Sequence, residues 1–533
     1  MVPTIGGRAE MALLMLLCAG SKRGCSTTAF RIRAPLMTAA PVRAVYRPVV
    51  HRSVRTRALP SAVGAIAEET QGVGSSAGEA VTSRKTVVVA RGKARLFWEG
   101  NPLVYGGAVS RVEGDPAAGE VVDVIDSSGK FIAWGVYNPD SMYRVRVLAI
   151  EGEAAADGRD VGALVRQRIR TARDARRAIG IPNAETDTYR LVNGEGDRLS
   201  GLVVDVFSGV VGVSSSAVWV EAFRPDIEAA LEQEFGTDAT EIVWRRSDGR
   251  LQQDGWKGNA AIALENGDAS APSPVDGGLD TNGVASTGAL AGQDGAESTS
   301  EGEGGEMQGR RARDDVPTTV VRELGLEYEV RPQFGQKTAG FYCDQRESRE
   351  AVRKVSGGKN VLDMFCYSGG FALNAAAGGA SRVVAVDSSQ PALEEAQINA
   401  ARNNLEGITE FVKDDALKYM KTAAANGDLF DMVVLDPPKL APNKKALTRA
   451  TSRYKRLNAA ALELIAPGGM LVTFTCSAAM TQSGEFVGVV QSAARAAGRT
   501  LTLLRTVGPA ADHVTNPCYP EGAYLTGAFF YVS

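Results

Sequence analysis

One cysteine and one aspartate, each at the end of an apolar stretch, have the residue types needed for nucleophilic chemistry on a nucleobase. Cys476 follows residues 470–475, and Asp436 follows residues 431–435. A thiolate that adds to C6 of a pyrimidine makes C5 able to attack an electrophilic methyl group, and loss of the C5 proton then expels the thiolate. This route needs a cysteine facing the ring and a carboxyl group that stabilises the ring during addition. We predict that Cys476 and Asp436 fill these two catalytic roles.

The scarcity of histidine narrows the alternatives. The 533 residues include only His51 and His513, and the six cysteines lack CxxC spacing. Catalytic triads with a histidine base, zinc ribbons and disulfide scaffolds are therefore disfavoured, and we expect no metal. A buried cysteine is most often inert, which is our interpretation of Cys343, Cys366 and Cys518.

Further acidic and glycine-containing segments could form a pocket for a nucleotide-like cofactor. The small-residue turn at residues 367–370 would let a ligand approach the backbone. The carboxylate of Asp387 can accept hydrogen bonds from both ribose hydroxyls, and Asp414 and Asp415 could reach an adenine amine. The two prolines after Asp436 lack N–H donors and form a rigid edge for a planar substrate base, a feature typical of S-adenosylmethionine (SAM) methyltransferases. A purely structural turn is the alternative there. The predicted residues are Tyr367, Ser368, Gly369, Gly370, Asp387, Asp414 and Asp415 for the cofactor, Asp436 for both roles, and Pro437, Pro438 and Lys439 for the substrate.

The elements that must position these residues alternate between strand and helix over the C-terminal 200 residues or so. Strands are predicted at 361–365, 382–386, 407–412, 431–435 and 470–475, with helices at 391–404 and 444–465. This alternation predicts an α/β domain with a doubly wound parallel sheet, whose ligands bind at the carboxyl ends of the strands. Every candidate site residue after position 360 lies at such an end.

The preceding chain divides into shorter units. β-rich runs at 86–89, 120–126 and 131–137, the last two joined by a Ser-Ser-Gly turn, predict a small β-rich domain. Residues 166–178 have helical composition and six arginines, and they form either a solvated face or an RNA-phosphate contact. The predicted domains are 1–85 (presequence and linker), 86–150 (β-rich), 151–263 (central α+β), 264–316 (acidic, disordered insert) and 317–533 (catalytic).

The net charge of −3 hides a strongly basic leader. Residues 1–67 carry ten basic residues and one acid, and residues 11–19 are an apolar run too short to span a membrane. This pattern is similar to a bipartite presequence, so we expect import into the plastid stroma. A mitochondrial address or a merely disordered leader are the alternatives. We expect no membrane association of the mature protein.

Six groups of motifs, within residues 86–263 and 320–533, carry a family resemblance. They are residues 189–197 (YRLVNGEGD), 337–346 (KTAGFYCDQR), 367–371 (YSGGF), 436–439 (DPPK), 474–477 (FTCS), and 511–513 (ADH) with 519–522 (YPEG). In this combination the chain resembles the RlmI-like family of 23S rRNA (cytosine-C5) methyltransferases. The resemblance implies a PUA-like RNA-binding domain and a small α+β domain, followed by a Rossmann-like class I SAM methyltransferase domain with a seven-stranded, mostly parallel sheet.

The resemblance also implies roles for individual residues. It implies that Cys476 is the nucleophile and that Asp436 lies at the methyl-transfer edge. A similar guanine-N7 branch lacks the thiol, so Cys476 favours cytosine C5. Residues 101–104 depart from the family by reading Asn-Pro-Leu-Val instead of His-Pro-Trp-Val, and Cys343 replaces an aliphatic residue. The implied SAM contacts are Gln345, Arg346, the loop 367–370, Asp387 and Asp415.

The sequence therefore predicts a plastid, SAM-dependent enzyme that forms 5-methylcytosine in large-subunit ribosomal RNA. One alternative is methylation of another substrate, such as guanine, tRNA or protein. A second is a non-catalytic RNA-binding assembly factor. A homodimeric assembly is left open.

Overall fold

The computed structural model describes residues 84–153, 158–239, 241–258, 317–332 and 341–533. The predicted leader, the acidic insert and the start of the 337–346 motif lie outside these residues, so plastid import and the disorder of the insert stay predictions. Among the described residues, no helix is long and apolar enough to cross a membrane.

The first unit is a six-stranded sheet built from valine-rich strands. Its order is β2-β6-β5-β4-β1-β3, in which only the β1–β4 pair is parallel. The predicted hairpin is confirmed, because Asp126 Oδ1 accepts the N–H groups of Ser128 (2.8 Å) and Lys130 (3.0 Å) and so closes the turn between β4 and β5. The elements are β1 (Thr86–Val89), α1 (Arg95–Trp98), β2 (Leu103–Tyr105), β3 (Val109–Glu113), β4 (Val121–Ile125), β5 (Phe131–Tyr137) and β6 (Tyr143–Ile150).

The central unit packs helices on a four-stranded sheet of order β10-β9-β8-β7. Helix α2 begins five residues before the predicted start, because the carboxylate of Asp160 caps it by accepting the N–H of Ala163 (2.9 Å). The elements are α2 (Val161–Ala178), β7 (Thr188–Asn193), β8 (Leu202–Phe207), β9 (Val210–Ser215), α3 (Val218–Ala222), α4 (Arg224–Phe235), β10 (Glu241–Arg246) and α5 (Asp248–Gln253).

Most of the arginines of α2 are paired with acids, although Arg166, Arg170 and Arg177 are exposed. Four of the six form ion pairs with Glu153, Asp174, Asp197 or Glu234. The four are Arg168, Arg170, Arg173 and Arg176. These pairs reduce the positive charge that α2 offers to RNA phosphates, which favours a solvated face over an RNA-phosphate contact.

The last unit contains the predicted seven-stranded, mostly parallel sheet, which confirms the expected fold class. The order is β15-β14-β13-β16-β17-β19-β18, in which the first five strands are parallel and β19 is antiparallel to both of its neighbours, β17 and β18. The chain order reverses between β13 and β16, which is the switch point where such sheets bind ligands. The strands are β13 (Asn360–Met364), β14 (Arg382–Asp387), β15 (Thr409–Lys413), β16 (Phe430–Leu435), β17 (Ile465–Thr475), β18 (Leu501–Val507) and β19 (Thr526–Val532).

Helices cover both faces of this sheet, and a hairpin precedes it. The hairpin is β11 (Thr319–Glu323) with β12 (Leu326–Val330). The helices are α6 (Arg346–Val355), α7 (Gly370–Ala377), α8 (Gln390–Arg402), α9 (Ala416–Asn426), α10 (Leu447–Glu463), α11 (Ala478–Ser483) and α12 (Phe486–Ala496).

A buried carboxylate, that of Asp512, joins the central unit to the sheet domain. One oxygen accepts the backbone N–H of Arg190 on β7 (2.9 Å), and the other lies 2.7 Å from the Arg346 guanidinium and 3.0 Å from Nδ1 of His513. The backbone oxygen of Asp512 accepts a hydrogen bond from Arg176 on α2 (2.7 Å). Burial alone would raise the pKa of Asp512, but the hydrogen bond with His513 and the Arg346 charge hold that pKa well below its usual range.

We predict that Asp512→Asn lowers the free energy of unfolding at pH 7 by about 3 to 5 kcal/mol, because it leaves the buried Arg346 charge without its counterion. Since the folded carboxyl has a depressed pKa, its stabilising contribution is lost as pH falls below the unfolded value of about 4. The deficit of the variant should shrink over the same pH range. Urea unfolding measures both effects.

The matched control is Glu410→Gln, which breaks the exposed ion pair with Arg382. It should cost less than about 1 kcal/mol. Equal losses in the two variants would contradict the role given to Asp512.

Candidate active site

Cys476 and Asp436 follow neighbouring parallel strands. Leu435 pairs with Thr473 in the register of β16 and β17, so the residues after both strands emerge at one edge of the sheet. The thiol of Cys476 lies 3.7 Å from the carbonyl oxygen of Pro437. The structure thus brings together the two segments that carry the predicted catalytic residues, and it places the thiol beside the Asp-Pro-Pro turn.

A chain of buried hydroxyls fixes this turn. Ser477 Oγ accepts the N–H groups of Leu440 (3.1 Å) and Ala441 (3.0 Å), and it lies 3.0 Å from the hydroxyl of Tyr454 on α10. Thr475 donates to the same tyrosine hydroxyl (2.7 Å). The residues on both sides of Cys476 are therefore tied to α10 and to the segment after the prolines, which limits the movement of the thiol.

The environment of Asp436 favours its protonated form up to near neutral pH. Burial raises its pKa to about 7, the negative charge of Asp344 adds to this effect, and a hydrogen bond from Gln345 to its Oδ2 (3.0 Å) opposes it. A carboxyl group with such a pKa can donate a proton at physiological pH.

The environment of Cys476 favours its protonated thiol. Burial raises its pKa to about 12, and the charges of Asp436 and Asp344 raise it further, while Lys439 opposes them. Burial and the two acids therefore disfavour the thiolate, and we expect its formation to accompany substrate binding.

Asp344 and Tyr342 belong to this site although neither was among the predicted residues. The charge of Asp344 acts on both Asp436 and Cys476, and its Oδ2 accepts a hydrogen bond from Tyr524 (2.8 Å). The pKa of Tyr342 rises to about 12, mainly through burial and further through Asp344, Cys476 and Asp436. The signal in the sequence that could have identified them is their place in the 337–346 motif, which also contains Gln345.

The loop after β13 forms a cradle with strained backbone. Tyr367 has a φ of 52° and Gly369 a φ of 86°. A Cβ at Gly369 would also lie 3.3 Å from that of Ala396, so both the backbone conformation and the close packing favour glycine at this position. Asp387 holds the loop, because its Oδ2 accepts the N–H of Tyr367 (3.0 Å) and its Oδ1 that of Ser389 (2.9 Å).

The remaining loop residues extend the same edge. The carbonyl oxygen of Ser368 accepts a hydrogen bond from Asn399 (3.3 Å), and Gly370 begins α7. The predicted loop and Asp387 are therefore brought together by the structure.

Unpartnered polar atoms at this edge fit the predicted cofactor. Asp363 Oδ1, on β13, and Gln345 Oε1 are buried and have no hydrogen-bond partner among the described residues. Both are acceptors, and the ammonium group of a methionine moiety would supply the missing donors. With Asp387 at the end of the next strand, these residues suit the amino acid and ribose parts of SAM.

Other predicted cofactor contacts have structural partners of their own. Asp415 caps α9 by accepting the N–H of Lys418 (3.0 Å), and Asp414 forms an exposed ion pair with the Lys418 side chain (2.9 Å). Arg346 is buried and bound by Asp512 and by the carbonyl oxygen of Thr188 (3.4 Å). Their contacts with the cofactor stay predictions, and Arg346 has a clear second role in anchoring the residue next to Gln345.

The substrate-side residues differ in exposure. Pro437 is buried behind the turn, whereas Pro438 and Lys439 are exposed at its outer face. This arrangement leaves the second proline and the lysine accessible to a large substrate.

Comparison with known protein families assigns two regions of the chain. Residues 87–149 match the PUA-like domain, and residues 312–510 match the S-adenosylmethionine-dependent methyltransferase domain. The sheet edge described above lies within the second region, so SAM is the cofactor of this protein.

Solved structures agree on the fold. A methyltransferase complexed with SAH superimposes with a TM-score of 0.62 at 19% identity, covering 84% of this chain and 99% of the other. A SAM-dependent methyltransferase from Streptococcus mutans gives 0.61 at 18% identity, with the same coverage.

Curated relatives align along most of the chain. Ribosomal RNA large subunit methyltransferase I of Klebsiella pneumoniae is 34% identical over 444 residues, which is 83% of this chain and 96% of the relative. The protein of the same name from Escherichia coli K12 is 33% identical over 83% of this chain and 98% of its own. Identity at this level over nearly the whole of both relatives means that the chain belongs to the ribosomal RNA large subunit methyltransferase I family and is a SAM-dependent methyltransferase.

Proposed function

We propose that this enzyme forms 5-methylcytosine in large-subunit ribosomal RNA through a covalent adduct with Cys476. The observation that carries the proposal is the thiol of Cys476, 3.7 Å from the carbonyl oxygen of Pro437 and beside the protonatable Asp436. A nucleophilic thiol at this edge serves carbon methylation, whereas an amino or ring nitrogen can attack a methyl group without it. The names of the relatives support large-subunit rRNA as the substrate.

The two residues would act together on the cytosine ring. The thiol of Cys476 releases its proton to solvent as the base enters, and its sulfur then forms a bond to C6 while the electron density of the C5–C6 double bond moves toward C5 and N3. Asp436 donates its proton to N3, which removes the negative charge that addition would otherwise leave on the ring. SAM, when bound, supplies an electrophilic methyl group for C5. Loss of the C5 proton then restores the C5–C6 double bond as the C6–S bond breaks, which releases the thiolate, and the proton on N3 returns to Asp436.

Asp344 is the group best suited to accept the C5 proton. It shares one site with Asp436, and the environments of the two carboxyl groups separate their roles, because the charge of Asp344 helps to keep Asp436 protonated. The hydroxyl of Tyr524 holds Asp344 Oδ2, while Oδ1 is buried without a partner among the described residues. Two carboxyl groups that share a site in different environments can provide one acid and one base.

Cys476→Ala should abolish formation of 5-methylcytidine in rRNA and leave SAM affinity within about twofold of wild type. Mass spectrometry of digested RNA measures the product, and calorimetry measures SAM binding. Cys518→Ala, at a half-buried thiol outside this site, is the matched control and should retain activity. Full turnover by Cys476→Ala would exclude the covalent route, and a different methylated nucleoside made by the wild type would exclude cytosine C5.

The turnover number should fall as pH rises through about 7, since the acid form of Asp436 is lost above its pKa. Asp436→Asn should lose this falling limb and turn over about 10²- to 10⁴-fold more slowly. A rising limb from deprotonation of the thiol should remain in both proteins. Single-turnover rates at saturating SAM and RNA between pH 5.5 and 9 report these limbs, and a falling limb that persists in Asp436→Asn would assign it to another group.

Asp344→Asn should accumulate an RNA–protein adduct, because the methylated intermediate cannot lose its C5 proton and release Cys476. The adduct appears as a slower band in denaturing gels that RNase removes. Asp428→Asn changes an exposed carboxyl group in the same way and should give no band. If Asp344→Asn releases product at the wild-type rate, Asp344 is not the base.

A further inference from the structure

A strongly basic segment begins at the catalytic edge. Between Asp436 and Glu463 the chain has no acidic residue and seven basic ones, all of which are exposed. We call these residues the basic segment: Lys439, Lys444, Lys445, Arg449, Arg453, Lys455 and Arg456.

The helical register of α10 gathers its arginines on one face. Arg449, Arg453 and Arg456 are spaced by four and three residues, so they lie along a single exposed stripe. The opposite face, with Ala450 and Tyr454 among others, is buried in the core. At 1.5 Å per residue the stripe is about 10 Å long.

These charges are not used inside the protein. None of the seven forms an ion pair with any acid in the part of the chain that the structure describes. The arginine-rich helix α2 differs, since four of its six arginines are paired. Unpaired cations on one face attract an extended polyanion and release its counterions on binding.

The basic segment is rigidly joined to the site. Tyr454, on the buried face of α10, bonds with Ser477 and Thr475, which flank Cys476. Helix α10 begins after the carboxyl end of β16, so its first turns lie nearest to the catalytic edge. Lys439 is close enough to Cys476 for its charge to act on the thiol.

We propose that the basic segment binds the phosphodiester backbone of the RNA strand that enters the active site, with Arg449, Arg453 and Arg456 as the main phosphate contacts. This inference rests on the proposed RNA substrate and adds the surface that holds it. Phosphate contacts give affinity and register without reading sequence, whereas the site edge selects the base. An exposed stripe of guanidinium groups suits phosphates because each can donate two parallel hydrogen bonds.

The test is the triple variant Arg449→Gln/Arg453→Gln/Arg456→Gln of the full chain. Its affinity for a fluorescein-labelled, single-stranded 20-nucleotide RNA should fall about 10- to 100-fold at ~0.1 M salt. The slope of log affinity against log salt should lose about 2, since each phosphate contact contributes roughly 0.7 for single strands. SAM affinity and the midpoint of thermal unfolding should stay at wild-type values, because the three side chains are exposed.

The matched control is Arg166→Gln/Arg170→Gln/Arg177→Gln, which removes three exposed arginines from α2. It should keep the wild-type affinity and salt slope. The proposal is overturned if the α10 variant keeps the wild-type affinity and salt slope, as it would if the stripe bound an acidic protein partner. It is also overturned if the two triple variants lose affinity equally. Failure of the proposed function is a separate result, in which the wild type binds this RNA with the predicted salt dependence but forms no 5-methylcytidine in rRNA.

Discussion

The buried carboxylate of Asp512 is the interaction on which the geometry of this enzyme depends. It receives a backbone N–H from the central sheet and an arginine from the first turn of α6, while its own backbone oxygen receives an arginine from α2. A buried ion group of this kind stabilises only when every partner is present, since an unpaired charge would have to be taken out of water without compensation. The order of residues along the chain connects this buried group to the catalytic site. Arg346, which Asp512 binds, is next to Gln345, and Gln345 bonds with Asp436.

Desolvation then determines the chemistry at the catalytic edge. Burial near neighbouring acids raises the pKa of Asp436 to about 7 and that of the Cys476 thiol to about 12. For Asp436 this is useful, because an acid with a pKa near 7 can donate to the ring during addition. For Cys476 it means that the thiolate forms only in the presence of substrate, which protects the thiol from other electrophiles. One environment therefore has different effects on the two groups, and both suit an adduct that forms after the base has entered.

Much of the catalytic sheet could be predicted because its signals are local. Apolar runs predicted four of the five parallel strands to within two residues, whereas β17 begins five residues before its predicted start. The glycines after β13 indicated a turn, in which Gly369 has a positive φ. Asp344 and Tyr342 could not be found in this way. They reach the site through contacts with residues far along the chain, such as Tyr524, and no period or spacing reports such contacts.

Charge was harder to interpret from the sequence than strand pattern. The arginines of α2 drew attention by their number, but Glu153, Asp197 and Glu234 neutralise most of them through contacts that only the folded chain shows. The basic residues after Asp436 are equally dense, yet they became a surface only once the register of α10 placed Arg449, Arg453 and Arg456 on its exposed face. Whether a charged side chain is available to bind a ligand thus depends on its partners in the folded protein.

The central claim, a covalent bond between Cys476 and a cytosine of large-subunit rRNA, can be tested by trapping. Large-subunit rRNA transcribed with 5-fluorocytidine is incubated with the wild-type enzyme and SAM, and the digested complex is sequenced by mass spectrometry. The account predicts one methylated fluorocytidine attached to Cys476, because fluorine at C5 cannot leave as a proton does and the thiolate is not released. Methylation of normal rRNA at cytosine C5 without any adduct on Cys476 in the fluorinated RNA would contradict it.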